Sequence, residues 1–400
     1  MRLRVDKAHM RKALLATAFA FGFSISSGAA SQTVDQINLT TDDQAFLISQ
    51  GFAPANNVDP HLINPWGMSF STTSPFWLSD QNAGVSTLYN AAGAPQQLVV
   101  SIPGSLVGPS GPTGQVFNGT TGFELTPGNS ARFIFANLNG TISGWNPTVN
   151  PTNAMVAVTE PNAVYTGLAM GNNGGSNFLY AANNAAGTID VFDASFQKVT
   201  LSGAFQDPGL PPGLAPFNVV NVDGVLYVTY TTPGPDADEA ALGTGVVDRF
   251  SLNGEFIDRF VTGDVSNNVL SPWGLVEAPD NWGAFANAIL IGNFAEEDGF
   301  INAFADDGTY LGMLMVGSDP FNVPYLWALG TRAPGSAFDA GAVYFTAGIG
   351  DEEHGLFGRL LSVPEPESWA MMLMGFSAVG FAMRRRNRTG MSIRRAPRTA

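Results

Sequence analysis

The stretch Phe133-Ile134-Phe135-Ala136-Asn137-Leu138-Asn139-Gly140-Thr141-Ile142-Ser143-Gly144-Trp145 sets two short apolar runs on either side of an Asn-rich turn ending in glycine. Each run is too short for a helix, so the segment reads as strand, hairpin, strand. The same pairing of a glycine with a large apolar residue five positions on recurs at Gly84/Tyr89, Gly187/Phe192, Gly245/Phe250, Gly299/Phe304 and Gly355/Leu360. Each glycine follows an aromatic or β-branched run: Phe76-Trp77-Leu78, Phe178-Leu179-Tyr180, Leu226-Tyr227-Val228, Ile289-Leu290-Ile291 and Val343-Tyr344-Phe345. Earlier runs open several units, as in Trp66-Gly67-Met68, Trp273-Gly274-Leu275 and Leu326-Trp327-Ala328. A fourth run follows the hairpin in the first five units, at 97–102, 256–261 and 311–316 for example.

Four short strands in a repeat of roughly 50 residues is the size of one propeller blade. The sixth unit has no fourth run of its own, and an open edge there would invite aggregation. Residues 34–40, outside any unit, are free to fill it. The expectation is an all-β, six-bladed β-propeller over residues 31–363, closed by an N-terminal strand. A non-propeller β array of the same period is the alternative.

The chain has 400 residues, 45% hydrophobic, which is ample for a large core. It has no cysteine, which excludes disulfides, Cys-ligated zinc, iron–sulfur clusters and thiol catalysis. Residues 1–12 carry Arg2, Arg4, Lys7, Arg11 and Lys12 against Asp6, followed by an apolar run over 13–25 and small residues to Ser31. This is the plan of a secretory signal peptide, residues 1–30, cut near Ala29 or Ala30.

The other end reads Val363-Pro364-Glu365-Pro366-Glu367-Ser368-Trp369, an apolar run over 369–383, then Arg384-Arg385-Arg386. The run is marginal for a membrane span, which takes about 20 residues, and the arginines favour the cytoplasmic side. The arrangement resembles the PEP-CTERM sorting signal of Gram-negative bacteria. The resemblance implies that an exosortase-type membrane protease recognises Pro364, Glu365 and Pro366, that Arg384, Arg385 and Arg386 are the stop, and that 364–386 engages the inner membrane transiently. It further implies an exported protein at the cell surface, outside the cell or in the exopolysaccharide matrix. The basic tail 387–400 departs from the pattern, since such signals usually end soon after the arginines.

Residues 31–363 keep six basic side chains (Arg132, Lys198, Arg249, Arg259, Arg332 and Arg359) and thirty acidic ones, a net charge of −24. A body this acidic repels phosphate backbones, so nucleic acid is excluded as a partner. Hydration outside the cell accounts for the charge, as does capture of a hard cation such as Ca²⁺. The body also resembles a propeller-like family of exported proteins that carry the same signal. The motifs are Asn64-Pro65-Trp66-Gly67, Gly140-Thr141-Ile142-Ser143-Gly144-Trp145-Asn146, Tyr165-Thr166-Gly167, Ala215-Pro216-Phe217-Asn218, Pro272-Trp273-Gly274, Gly292-Asn293-Phe294 and His354-Gly355-Leu356-Phe357-Gly358. That resemblance implies fold and location and no activity.

There is no G-x-S-x-G, no phosphate-binding G-x-x-x-x-G-K and no H-E-x-x-H. With His61, His354 and Lys198 alone of their kinds in the body, a multi-histidine zinc site or a lysine Schiff base has no residues to build it. Asp80, Asn137, Asn183 and Asn293 recur at or just past the ends of second strands, facing the channel mouth in the propeller reading. Converging oxygens there suit Ca²⁺, and six-bladed hydrolases and lactonases use such a ring. Asn and Asp are equally the usual hairpin residues, bonding locally. Acidic clusters lie in the corresponding loops at Asp236-Ala237-Asp238-Glu239, Glu296-Glu297-Asp298 and Asp351-Glu352-Glu353. Trp66, Trp273 and Trp327 fall on the same face, either as a platform for a glycan or as packing between blades. The expected function is a binding or scaffold module for a cation or glycan, with no catalytic signature. The alternative is a Ca-dependent hydrolase or lactonase.

Overall fold

The computed structural model describes residues 31–104, 110–234, 237, 243–297, 299–333 and 338–363. The expected signal peptide 1–30, the sorting signal with Pro364 to Arg386, and Asp236, Asp238, Glu239 and Asp298 lie outside the described residues. The described chain is all-β, with a single α-helical turn at Gln44–Ser49 that Asp43 caps through its carboxylate to the Ala45 and Phe46 amides.

Four antiparallel sheets follow the repeat. The first holds Pro65–Ser69, Phe76–Asp80, Val85–Tyr89 and Val100–Ser101; the second Pro112–Phe117, Phe133–Asn137, Thr141–Trp145 and Met155–Thr159. The third holds Tyr165–Asn173, Ser176–Asn183, Thr188–Asp193 and Lys198–Val199; the fourth Ala215–Val222, Val225–Thr231, Val246–Ser251 and Phe256–Thr262.

The last two repeats do not stand apart as two sheets. Pro272–Glu277, Ile289–Asn293, Ile301–Phe304 and Tyr310–Val316 join Leu326–Thr331, Ala342–Ala347 and Leu356–Ser362 in one ten-stranded sheet, with the N-terminal strand Gln32–Thr41 between the halves. That strand runs antiparallel to Leu356–Ser362, from Val34 opposite Ser362 to Thr41 opposite Leu356. It is ten residues long against seven in its partner. Its first two residues therefore overrun the ladder, and Gln32 and Thr33 pair in parallel with Leu314 and Met315. The fusion is a short overhang, and it covers edge hydrogen-bonding groups that would otherwise be open.

The first strands pack side by side in sequence order, and Leu326–Thr331 returns to Pro65–Ser69, so the series closes into a ring. Glycine permits the approach. A Cβ on Gly67 would overlap the Thr113 carbonyl, one on Gly114 the Leu168 amide, and one on Gly274 the Trp327 carbonyl. Side chains then stitch neighbouring sheets: Thr113 Oγ1 donates to Tyr165 O (2.7 Å), Asn218 Nδ2 to Trp273 O (2.8 Å) and Thr346 Oγ1 to Trp66 O (2.9 Å). Between sheets lie apolar layers such as Trp77 stacked on Phe133 at 4.0 Å.

Candidate functional site

Three of the four residues singled out at the ends of second strands do the same local job. Asn137 Oδ1 accepts from Gly111 N (3.1 Å), Asn183 Oδ1 from Val164 N (3.3 Å) and Asn293 Oδ1 from Leu270 N (3.2 Å). Each acceptor pins the residues that lead into the first strand of its own sheet. Their amide nitrogens donate in turn to Pro103 O (3.1 Å), Asp190 Oδ2 (3.0 Å) and Asn268 O (3.0 Å). All three are buried. The recurrence that marks these positions in the sequence is thus a repeated clamp on the backbone, and the oxygens are turned to amide donors.

Asp80, the fourth, is fully buried and accepts from Thr87 Oγ1 at 2.7 Å, while its Oδ1 meets no donor among the described residues. Burial holds its carboxyl well above the usual carboxylate range; the Thr87 hydrogen bond opposes this and the Asp59 charge adds to it. Among the described residues no group of three or more His, Asp or Glu side chains is placed to hold a metal ion.

The three tryptophans do come together. The ladder slips between Pro65 and Met68, between Pro272 and Leu275, and between Leu326 and Leu329, so Trp66, Trp273 and Trp327 each sit in a bulge at the start of a first strand. A bulge re-aims side chains, and here the indoles meet in one cluster with Phe217, Phe294 and Tyr325. Trp327 is sandwiched between Trp66 (centroids 3.6 Å apart) and Phe294 (4.0 Å), so both its faces are covered. Trp273 meets Trp327 edge-on at 5.5 Å and donates from Nε1 to Thr166 O at 3.0 Å. The indoles are core on their faces and wall on their edges.

This cluster stands between two cavities. One, of about 420 Å³, is lined by the first strands, with Ser69, Gln115, Asn218, Asn221 and Thr331 as its polar groups. The other, of about 570 Å³, is the mouth pocket, walled by Trp66, Phe217, Phe294 and Trp327 with Thr166, Asn184 and Glu352 as its polar groups. Its remaining lining includes Leu138, Val164 and Ala185. An apolar chamber with a few convergent polar groups is the ordinary form of a small-ligand site.

Glu352 is built into place. Its carboxylate accepts from Asn64 Nδ2 at 2.9 Å, its carbonyl from Asn82 Nδ2 at 2.6 Å, and its own amide donates to Gly348 O at 3.0 Å. Asp351 and Glu352 both have left-handed φ (54° and 62°), and Tyr325 OH donates to Asp351 Oδ1 at 3.0 Å. Asn64, itself at φ 50°, accepts from Trp327 Nε1 at 2.9 Å and donates to Gln81 Oε1 at 2.9 Å. Sequence reading picks out Glu352 only as one member of an acidic triplet and does not connect it with Asn64. The sole hint was Asn64 in the quoted Asn-Pro-Trp-Gly motif.

The histidines are paired elsewhere: His61 Nδ1 lies 3.0 Å from Asp59 Oδ1, and His354 Nδ1 lies 2.7 Å from Asp42 Oδ2. The second pair fastens the end of the N-terminal strand to the last hairpin.

Set against known proteins, residues 362–386 match the PEP-CTERM protein-sorting motif. Over 331 residues the chain is 31% identical to the uncharacterized protein L690 of Acanthamoeba polyphaga mimivirus, covering 79% of this chain and 84% of that protein. It is 30% identical over 337 residues to the uncharacterized protein R648 of the same virus, covering 80% of each. The chain belongs to the family of these mimivirus proteins. Solved structures of similar shape include a streptogramin B lyase (TM-score 0.48, 13% identity, 82% of this chain and 97% of that one). Another is the calcium-binding protein regucalcin of Agrobacterium tumefaciens (TM-score 0.46, 10% identity, 84% and 98%). The sorting motif marks an exported protein processed by exosortase, a membrane protease. Among the described residues no helix is long and apolar enough to cross a membrane; the apolar run 369–383 lies outside them.

Proposed function

We propose that this chain is an exported six-bladed β-propeller, its N-terminal strand serving as the outer strand of the sixth blade, and that it works as a binding module whose ligand enters the mouth pocket. In this reading the signal peptide 1–30 is removed on export. Exosortase recognises Pro364-Glu365-Pro366 and the Arg384-Arg385-Arg386 stop, and the body 31–363 reaches the cell surface or its exopolysaccharide. The observation that carries the binding role is the mouth pocket, an aromatic chamber with Thr166, Asn184 and Glu352 convergent on it. The covered faces of Trp327 favour a compact ligand with an apolar body over a sugar lying flat on tryptophan. A Ca-dependent hydrolase would require Asn137, Asn183 and Asn293 to give up backbone partners they now hold.

The test is a thermal-shift panel on the exported protein with aryl alcohols, aryl amines, aryl carboxylates and oligosaccharides. Ala185→Trp, which fills the mouth, is the control. A ligand at a hundredfold excess over its Kd adds about 2.7 kcal/mol and raises the midpoint by several degrees. The binding reading expects such a shift in the wild type and its loss in Ala185→Trp; a panel without shifts, or shifts equal in both proteins, overturns it.

A further inference from the structure

Five of the six basic side chains of the body are engaged. Lys198 pairs with Asp190 (2.9 Å), Arg249 with Asp258 (2.6 Å), Arg259 with Asp248 (2.7 Å) and Arg359 with Asp339 (3.8 Å). Arg332 lies among the rings of Phe70, Phe76 and Phe338. The sixth, Arg132, is exposed and has neither an acid nor a ring as partner among the described residues. Its surroundings explain this: from Gln81 to Thr159 the chain carries one acid, Glu124, and one base, Arg132. The second sheet and its loops therefore form a neutral sector of a strongly acidic body, where an anion meets the least repulsion.

Arg132 lines a cavity of about 390 Å³ and is the only charged residue among those described in its lining. The cavity lies at the end of the second sheet away from the mouth pocket, where Pro112–Phe117 and Thr141–Trp145 finish and Phe133–Asn137 begins. Buried asparagines hold its walls. Asn118 Nδ2 donates to Ala131 O (2.8 Å) and Gly122 O (3.0 Å), and Asn146 Nδ2 donates to Ser130 O (2.7 Å). Ser130 Oγ then donates to Thr121 O at 2.8 Å. Thr121 and Thr148 are exposed, with hydroxyls that have no partner among the described residues, and the ring of Phe117 is half-buried beside them.

We propose that this cavity is a second binding site, independent of the mouth pocket, for an acidic sugar. Its carboxylate pairs with the Arg132 guanidinium, its hydroxyls bond Thr121 and Thr148, and its apolar face turns to Phe117. The planar guanidinium fork matches a carboxylate through two parallel hydrogen bonds. One base balances one negative charge, so a phosphate dianion keeps a surplus that a body of net charge −24 repels. A neutral sugar keeps the hydroxyl contacts and lacks the ion pair.

The test is an NMR titration of the exported protein at low salt with four probes: the methyl glycoside of glucuronate, the methyl glycoside of glucose, glucose 6-phosphate and acetate. The glucuronate is expected to bind about fivefold more tightly than the glucose, the scale of an exposed ion pair. It should also exceed acetate and glucose 6-phosphate, and its advantage should shrink with added salt. Arg132→Gln removes the charge at an exposed position and should bring the glucuronate down to the glucose, with the glucose unchanged. Ala185→Trp, which fills the mouth pocket, should leave all four affinities as they were. Equal affinities for glucuronate and glucose, a preference that survives Arg132→Gln, or its loss in Ala185→Trp overturns the proposal. Acetate or glucose 6-phosphate binding as tightly as the glucuronate overturns the acidic-sugar assignment, and absence of binding by all four overturns the site.

Discussion

Trp327 Nε1 donates to Asn64 Oδ1 at 2.9 Å, and through Asn64 Nδ2 the same amide reaches Glu352 Oε1 at 2.9 Å. One asparagine thereby joins the aromatic wall of the mouth pocket to its charged group. Asn64→Ala leaves a buried indole donor without its acceptor and removes a residue tolerant of its φ of 50°. A loss of about 1–3 kcal/mol is expected from the donor alone. A double-mutant cycle with Trp327→Phe in urea unfolding should return a coupling of roughly 1 kcal/mol. Additive losses would mean the contact contributes nothing.

The ring depends on glycine where first strands approach. Gly274→Ala drives a methyl group onto the Trp327 carbonyl, so neighbouring strands must move apart. We expect a loss of about 1–3 kcal/mol in urea unfolding. Gly213→Ala is the control: it has a left-handed φ of 87° and open space around it. It should show only the conformational cost of that φ, near 1 kcal/mol.

In the proposed reading the N-terminal strand closes the sixth blade. Deleting residues 32–42 exposes the whole Leu356–Ser362 edge and removes the Asp42 partner of His354. The shortened protein is expected to aggregate, and a synthetic peptide of residues 31–43 added in trans should restore a sharp unfolding transition. A truncated protein that unfolds like the full one would remove the closing role.

One contribution to stability should fall as pH rises across the acid range. Burial pushes the Asp248 carboxyl up to about 7, against the Arg259 hydrogen bond and charge, which lower it. Its folded value therefore lies above the ordinary 3.8. The contribution is full below that ordinary value and is lost progressively as pH climbs toward the folded one. Asp80, raised by burial, acts in the same direction. Asp248→Asn should flatten the slope of the urea midpoint between about pH 4 and about pH 7; an unchanged slope would contradict the assignment.

Calcium offers a separate check. The amide oxygens of Asn137, Asn183 and Asn293 already accept backbone N–H groups. Restoring calcium after EDTA treatment should leave the thermal midpoint of the exported protein where it was. A rise of several degrees would bring the cation reading back.

How much of this was legible follows from what is local. Strands such as Phe133–Asn137 and Thr141–Trp145 announce themselves because a hairpin glycine and alternating apolar residues are nearest-neighbour signals. The convergence of Trp66, Trp273 and Trp327 was visible as a shared position. That the indoles stack on one another was not, because it follows from bulges in three separate ladders. Asn137, Asn183 and Asn293 were visible as a recurrence whose purpose, a clamp on the incoming strand, needs the partner backbone to be seen. Asn64 and Glu352 sit at opposite ends of the repeat array and meet only because the ring closes, so no spacing rule could pair them.

The most direct measurement is calorimetric titration of the exported protein with the panel compound that raises its thermal midpoint most, in the wild type and in Ala185→Trp. The account predicts a saturable one-to-one heat in the wild type that vanishes when the mouth is filled. Equal heats in the two proteins, or none in the wild type, would contradict it.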